Sequence, residues 1–99
     1  MQYKYLVEPN ASLKIWSFYH HVALKYRHTF SEEDVIKNVQ KAVRSIYLIE
    51  KYLQRRPPLL SCWSNWHMAH AGKWYYAYTI ENDCIIVHDA CHQQNMHNS

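Results

Sequence analysis

Val35, Val39, Ala42, Ile46, Ile49 and Leu53 follow one another at intervals of four, three, four, three and four residues. That spacing lines six apolar side chains along one stripe of an α-helix and does not fit the two-residue period of a strand. The segment SEED at 31–34 supplies a start. Ser31 can accept from the amide three residues on, and Glu32, Glu33 and Asp34 suit the positive end of the helix dipole. Pro57 and Pro58 supply a stop. The pattern predicts a helix of roughly twenty residues, about 30 Å long. Its apolar stripe must be buried, and the rest of the chain has to provide the surface.

Upstream, YKYLV at 3–7 alternates like a strand, with Tyr3, Tyr5 and Val7 on one face. Pro9 and Asn10 stop it, and Asn10 or Ser12 can cap a first helix over Leu13–Arg27, where Ile15, Tyr19, Val22 and Tyr26 keep helical spacing. The short join around Thr29 and Phe30 implies a helical hairpin. Downstream the period changes to two. Trp66–Ala71 reads as a strand, Ala71-Gly72-Lys73 as a turn, and Lys73–Ile80 as a strand with Trp74, Tyr76, Tyr78 and Ile80 on one face. Asn82-Asp83 can turn the chain into a last strand, Cys84–His92. The expected architecture is α+β, in the order β-α-α-β-β-β, with a helical hairpin on a small, largely antiparallel sheet. Ninety-nine residues allow one core, so residues 1–99 form a single domain with 93–99 as a flexible tail.

Composition narrows the chemistry. The formal charge is +3 and eight histidines can add to it at mildly acid pH. This permits an acidic or nucleic-acid partner without requiring one. Cys62, Cys84 and Cys91 are three in number and lack CxxC spacing, which favours reduced thiols. The N-terminus has no signal-like apolar core and no run is long enough to span a bilayer, so a cytoplasmic location without membrane contact is expected.

The segment IIVHDACHQQNMHNS at 85–99 carries three histidines, one cysteine and one aspartate. On a helix, His88 and His92 would share a face and could share a zinc ion. On a strand their Cα atoms lie roughly 13 Å apart, too far for two nitrogens on one metal. No metal and no cofactor are expected. In a strand of strict alternation, His88, Ala90 and His92 share one face, and Asp89 and Cys91 the other. His67 leads the strand before, and Lys73 and Tyr75 lie on the next. A sheet face with His, Tyr and Lys can move protons and hold an anionic transition state. The plain alternative is a partly exposed polar sheet face. A basic flank, Lys37, Lys41, Arg44, Lys51 and Arg55 with Arg56 beyond, runs beside the apolar stripe of the long helix. It is either a solvated surface or a phosphate contact.

Three strings carry a family resemblance over nearly the whole chain: EPNASLKIWSFY (8–19), FSEEDVIKNVQKAVRSIYLIEKYLQRRPPL (30–59) and WHMAHAGKWYYAYTIENDCIIVHDACHQQN (66–95). In order and spacing the chain resembles the RelE/ParE superfamily, the toxins of bacterial type II toxin–antitoxin systems. His92 stands where many ParE-like members place a histidine. The resemblance implies a small toxin neutralised by a cognate antitoxin. RelE-like members cut messenger RNA on the ribosome; ParE-like members poison DNA gyrase. Nuclease members commonly carry arginine in the middle strands and near the tail, whereas no arginine follows Arg56 and Lys73 is the only lysine there. The leading expectation is a metal-independent endoribonuclease. His92 or His88 would act as base or acid with His67 as partner, Lys73 and Tyr75 would orient phosphate, and Lys37, Lys41, Arg44, Lys51, Arg55 and Arg56 would grip RNA. A gyrase poison and a non-enzymatic antitoxin-docking module are the alternatives.

Overall fold

Two tight turns organise the C-terminal half. Asn82 and Asp83 both adopt positive φ (48° and 64°), the left-handed pair that a two-residue type I′ hairpin needs. Gly72 takes φ +63° at the first central position of the other hairpin, where a side chain would be strained. These turns join three antiparallel strands, which follow the first strand and two helices. In the computed structural model, which describes residues 3–52, 63 and 65–96, the order is β1 (Lys4–Val7), α1 (Pro9–Lys25), α2 (Glu32–Ile46), a 3₁₀ turn (Ile49–Tyr52), β2 (His67–Ala71), β3 (Trp74–Glu81), β4 (Cys84–His92) and a second 3₁₀ turn (Gln93–Asn95). The sheet order is β1-β4-β3-β2, with β1 parallel to β4 and the other pairs antiparallel. This is the expected α+β arrangement of a helical hairpin on a small sheet.

The core lies between that hairpin and one sheet face. Ile15 and Tyr19 of α1, Val35, Val39, Ala42 and Ile46 of α2, Trp74, Tyr76 and Tyr78 of β3, and Ile85, Val87 and Ala90 of β4 are buried together. The alternation of β3 holds, since Ala77 and Tyr75 belong to a second cluster on the opposite face, with Trp63 and Met68. Tyr76 locks α2 onto β3: its hydroxyl donates to the Ala42 carbonyl at 2.9 Å and lies 2.8 Å from Ser45 Oγ. Burial pushes its pKa up, so it stays a neutral hydrogen-bonding phenol.

Four expectations are corrected. The long helix ends at Ile46 rather than near Leu53. Leu48 N–H donates to Ser45 and Lys51 N–H to Leu48, which tightens the chain to three residues per turn. Ile46 and Ile49 are three apart, so the apolar stripe continues and Ile49 is fully buried. Leu53, Arg55, Arg56, Pro57, Pro58 and Cys62 lie outside the described residues. The first helix begins at Pro9 rather than beyond it, because a first-turn position does not need the missing N–H. Nor does β4 alternate throughout. Tyr78 pairs with Val87 but Ala77 with Asp89, leaving His88 as the extra residue of a β-bulge. Val87 and Ala90, three apart, therefore both face the helices. Residues 93–95, expected to begin a loose tail, form a 3₁₀ turn capped by the His92 ring. Ser31 caps α2 as expected, in a reciprocal capping box with Asp34, whose carboxyl is held below its usual pKa chiefly by the Ser31 amide.

Candidate functional site

The bulge decides where the histidines go. β1 pairs with β4 only as far as Val7 opposite Val87, and β4 runs five residues further beside α1. Between that overhang and α1 lies a groove of about 870 Å³. Lys14, Phe18, His21 and Lys25 of α1 line it on one side, with Asp89 and His92 of β4, Lys73 of the β2–β3 turn, and Trp63 and Trp74. Three lysines meet one carboxylate in its lining.

That carboxylate is already engaged. Asp89 is buried, its Oδ2 accepts from the Trp63 indole N–H at 2.7 Å, and its Oδ1 accepts from the Ala90 amide at 2.9 Å. Lys14 Nζ sits astride both oxygens, at 3.0 and 3.1 Å. Lys14 is thus neutralised, which leaves Lys25 and Lys73 as the cations that give the groove its sign.

His92 is held on all sides. Its ring stacks on Phe18 (centroids 4.1 Å apart, planes at 11°) and meets the edge of Trp74 at 5.2 Å. Its Nδ1 accepts from the Gln94 amide at 3.2 Å. The proton of the neutral ring is therefore on Nε2. Burial, and secondarily the Lys73 charge, lower its pKa. The imidazolium would also set an Nδ1–H against the Gln94 N–H. A neutral His92 with Nδ1 so engaged carries its proton on Nε2, beside the Lys73 cation.

The expected site residues do not all gather. His92 and Lys73 meet in the groove. Because of the bulge, His88 points to the opposite sheet face. There Nδ1 donates to Glu8 Oε1 at 2.7 Å, Nε2 lies 2.7 Å from the Thr79 hydroxyl, and the ring stacks on Trp66. Both of its nitrogens are used inside the protein. Tyr75 lies on that same far face, stacked on His70 with centroids 4.2 Å apart. His67 is exposed at the start of the edge strand β2, its ring 5.5 Å from Tyr78. Lys37, Lys41, Arg44 and Lys51 are exposed, and none of them lines the groove. Among the described residues, no three of His, Cys, Asp and Glu converge as metal ligands would, and no helix is long and apolar enough to cross a membrane.

Sequence reasoning missed Lys14, Trp63 and the role of Asp89. Lys14 and Asp89 are 75 positions apart and nothing local pairs them. The stacking of Phe18 on His92 depends on how α1 crosses β4. A search of protein-family models found none that matches the chain, and a search of curated proteins found no matching relative.

Proposed function

We propose that the chain is a RelE/ParE-type toxin that acts on RNA, with the α1–β4 groove holding the phosphate at the point of cleavage. The order β-α-α-β-β-β and the three sequence strings support the family. One observation carries the choice of RNA: His92, with Nδ1 taken by the Gln94 amide, and two cations without a carboxylate partner in the groove lining, Lys25 and Lys73, line one space with aromatic walls. That set suits a phosphodiester, whose charge grows as the ribose 2′-hydroxyl attacks phosphorus. His92 Nε2–H and the Lys73 ammonium would stabilise the added charge on the non-bridging oxygens. The 2′-oxygen–phosphorus bond would form as the P–O5′ bond breaks, leaving a 2′,3′-cyclic phosphate; the 2′-hydroxyl proton would go to solvent, because neutral His92 has no lone pair on Nε2, and the departing 5′-oxygen would take a proton from solvent. The proposed partners are the ribosome with its message as target and a cognate antitoxin as inhibitor.

The test is cleavage of a reporter message in a translation extract. His92→Ala and Lys73→Ala should each slow it by about a hundredfold, the usual effect of losing one transition-state donor. The rate should rise with pH across the neutral range, whereas a bell-shaped profile would reinstate a histidine proton relay. An intact message sinks the RNA reading. A second reading, poisoning of gyrase or plain docking to a protein, is favoured by Leu13, Trp16 and Leu24, which are exposed on the outward face of α1. Loss of supercoiling with message left intact would select it.

A further inference from the structure

The segment from Pro9 to Ser31 contains no aspartate or glutamate. Over the same stretch it carries Lys14, Lys25, Arg27, His20, His21 and His28. Contrast α2, where Glu32, Glu33 and Asp34 balance Lys37, Lys41 and Arg44. Asp34 also lies close enough to Lys37 for that charge to contribute to its lowered pKa. The basic flank of α2 is therefore electrically compensated along its own helix, and α1 with its following turn is not.

Position sharpens the contrast. Lys14, His21 and Lys25 fall at helical spacing on one flank of α1, and all three line the groove. Over eleven residues that flank extends about 16 Å. Lys14 is tied to Asp89, so the uncompensated charge lies toward the C-terminal end, with Lys25 and then Arg27 and His28, all exposed. An aromatic ring stands among these cations. Tyr26, 51 % exposed, lines the groove and lies beneath Lys25 Nζ at 5.7 Å. An exposed ring set among cations, at the end of a groove, suits single-stranded nucleic acid: charge for the phosphates and a π-face for a base.

We propose that single-stranded RNA leaves the groove along the C-terminal half of α1 and the 26–29 turn, with Lys25 and Arg27 contacting phosphates and Tyr26 offering a stacking face. α2 is not its principal track. This rests on the reading of the groove as an RNA site but concerns binding alone, so it is tested without cleavage. The probe is a fluorescein-labelled 2′-O-methyl oligouridine, which cannot be cut at the 2′ position, titrated with full-length protein at several salt concentrations.

Wild-type affinity should fall with salt. Lys25→Ala/Arg27→Ala should weaken binding about tenfold and lower the log–log salt slope by about 1.4, at roughly 0.7 per single-strand phosphate contact. Tyr26→Ala should weaken binding with the slope unchanged, the mark of lost stacking. Lys37→Ala/Lys41→Ala/Arg44→Ala should give the smaller loss despite removing more charge. These variants sit on exposed positions, and circular dichroism checks that each is folded. A larger loss from the α2 variant overturns the proposal, as does equal affinity for a labelled poly-glutamate of similar charge. Binding through α1 by a protein that leaves message intact would uphold the surface and remove only the cleavage reading.

Discussion

At the scale of single residues, His92 shows how surroundings choose one of several chemistries open to a side chain. A histidine near the end of the last strand was legible in the sequence as a candidate. Its protonation was not, because that depends on the Gln94 amide, the Phe18 ring and Lys73. The depressed pKa has a stability consequence. As pH falls through the ordinary histidine range, near 6.5, the unfolded chain takes up a proton at this position before the folded chain does. Stability contributed at His92 therefore falls as pH drops through that value, and levels off below the depressed one. Urea midpoints at pH 7.5 and 5.5 should show a smaller acid loss for His92→Gln than for wild type. An unchanged acid loss would mean that the ring is as free to protonate as in water.

At the scale of elements, the sequence was most informative where a segment's period and its end signals agreed. Ser31 and Asp34 formed the capping box that SEED implied, and Asn82-Asp83 formed the expected turn. Where the ends depended on tertiary contacts, the reading failed. The apolar stripe ran past Ile46, yet the helix did not, since the Tyr5 hydroxyl takes the Tyr47 carbonyl at 3.2 Å as the chain tightens. A stripe with steps of three satisfies a 3₁₀ turn as well as an α-helix, so periodicity alone could not separate them. Beyond their shared apolar core, α2 and β3 are joined by one hydroxyl, that of Tyr76. Tyr76→Phe removes its bond to Ala42 and its contact with Ser45, and should cost about 1–2 kcal/mol in urea unfolding. A cost near zero would mean that ring packing alone holds the two elements together.

At the scale of the whole molecule, Asp89 connects three regions: α1 through Lys14, the residues before β2 through Trp63, and its own strand through the Ala90 amide. Two of these donors are neutral, while Lys14 is half exposed and can return its charge to water. Asp89→Ala should therefore destabilise by at least about 2 kcal/mol, from buried donors left unpaired, and Lys14→Met by under about 1 kcal/mol. Equal losses would show that the ion pair, not the buried hydrogen bonds, fastens the groove. The bulge at His88 acts at this scale too. It spends one residue without advancing the register, so Ala90 and His92 turn toward the helices and His88 toward Glu8, Thr79 and Trp66. A reading by strict alternation had put all three residues on one face. The sequence by itself determined the two helices, the hairpin turns, the α+β class and the presence of His92 and Lys73 near one another, because local period, capping and turn chemistry act over a few residues. Only the tertiary structure decided which histidines share a site, which lysine is neutralised and how His92 carries its proton. Those outcomes depend on groups up to eighty positions apart, such as Glu8 and His88, and on a single unpaired residue in a strand.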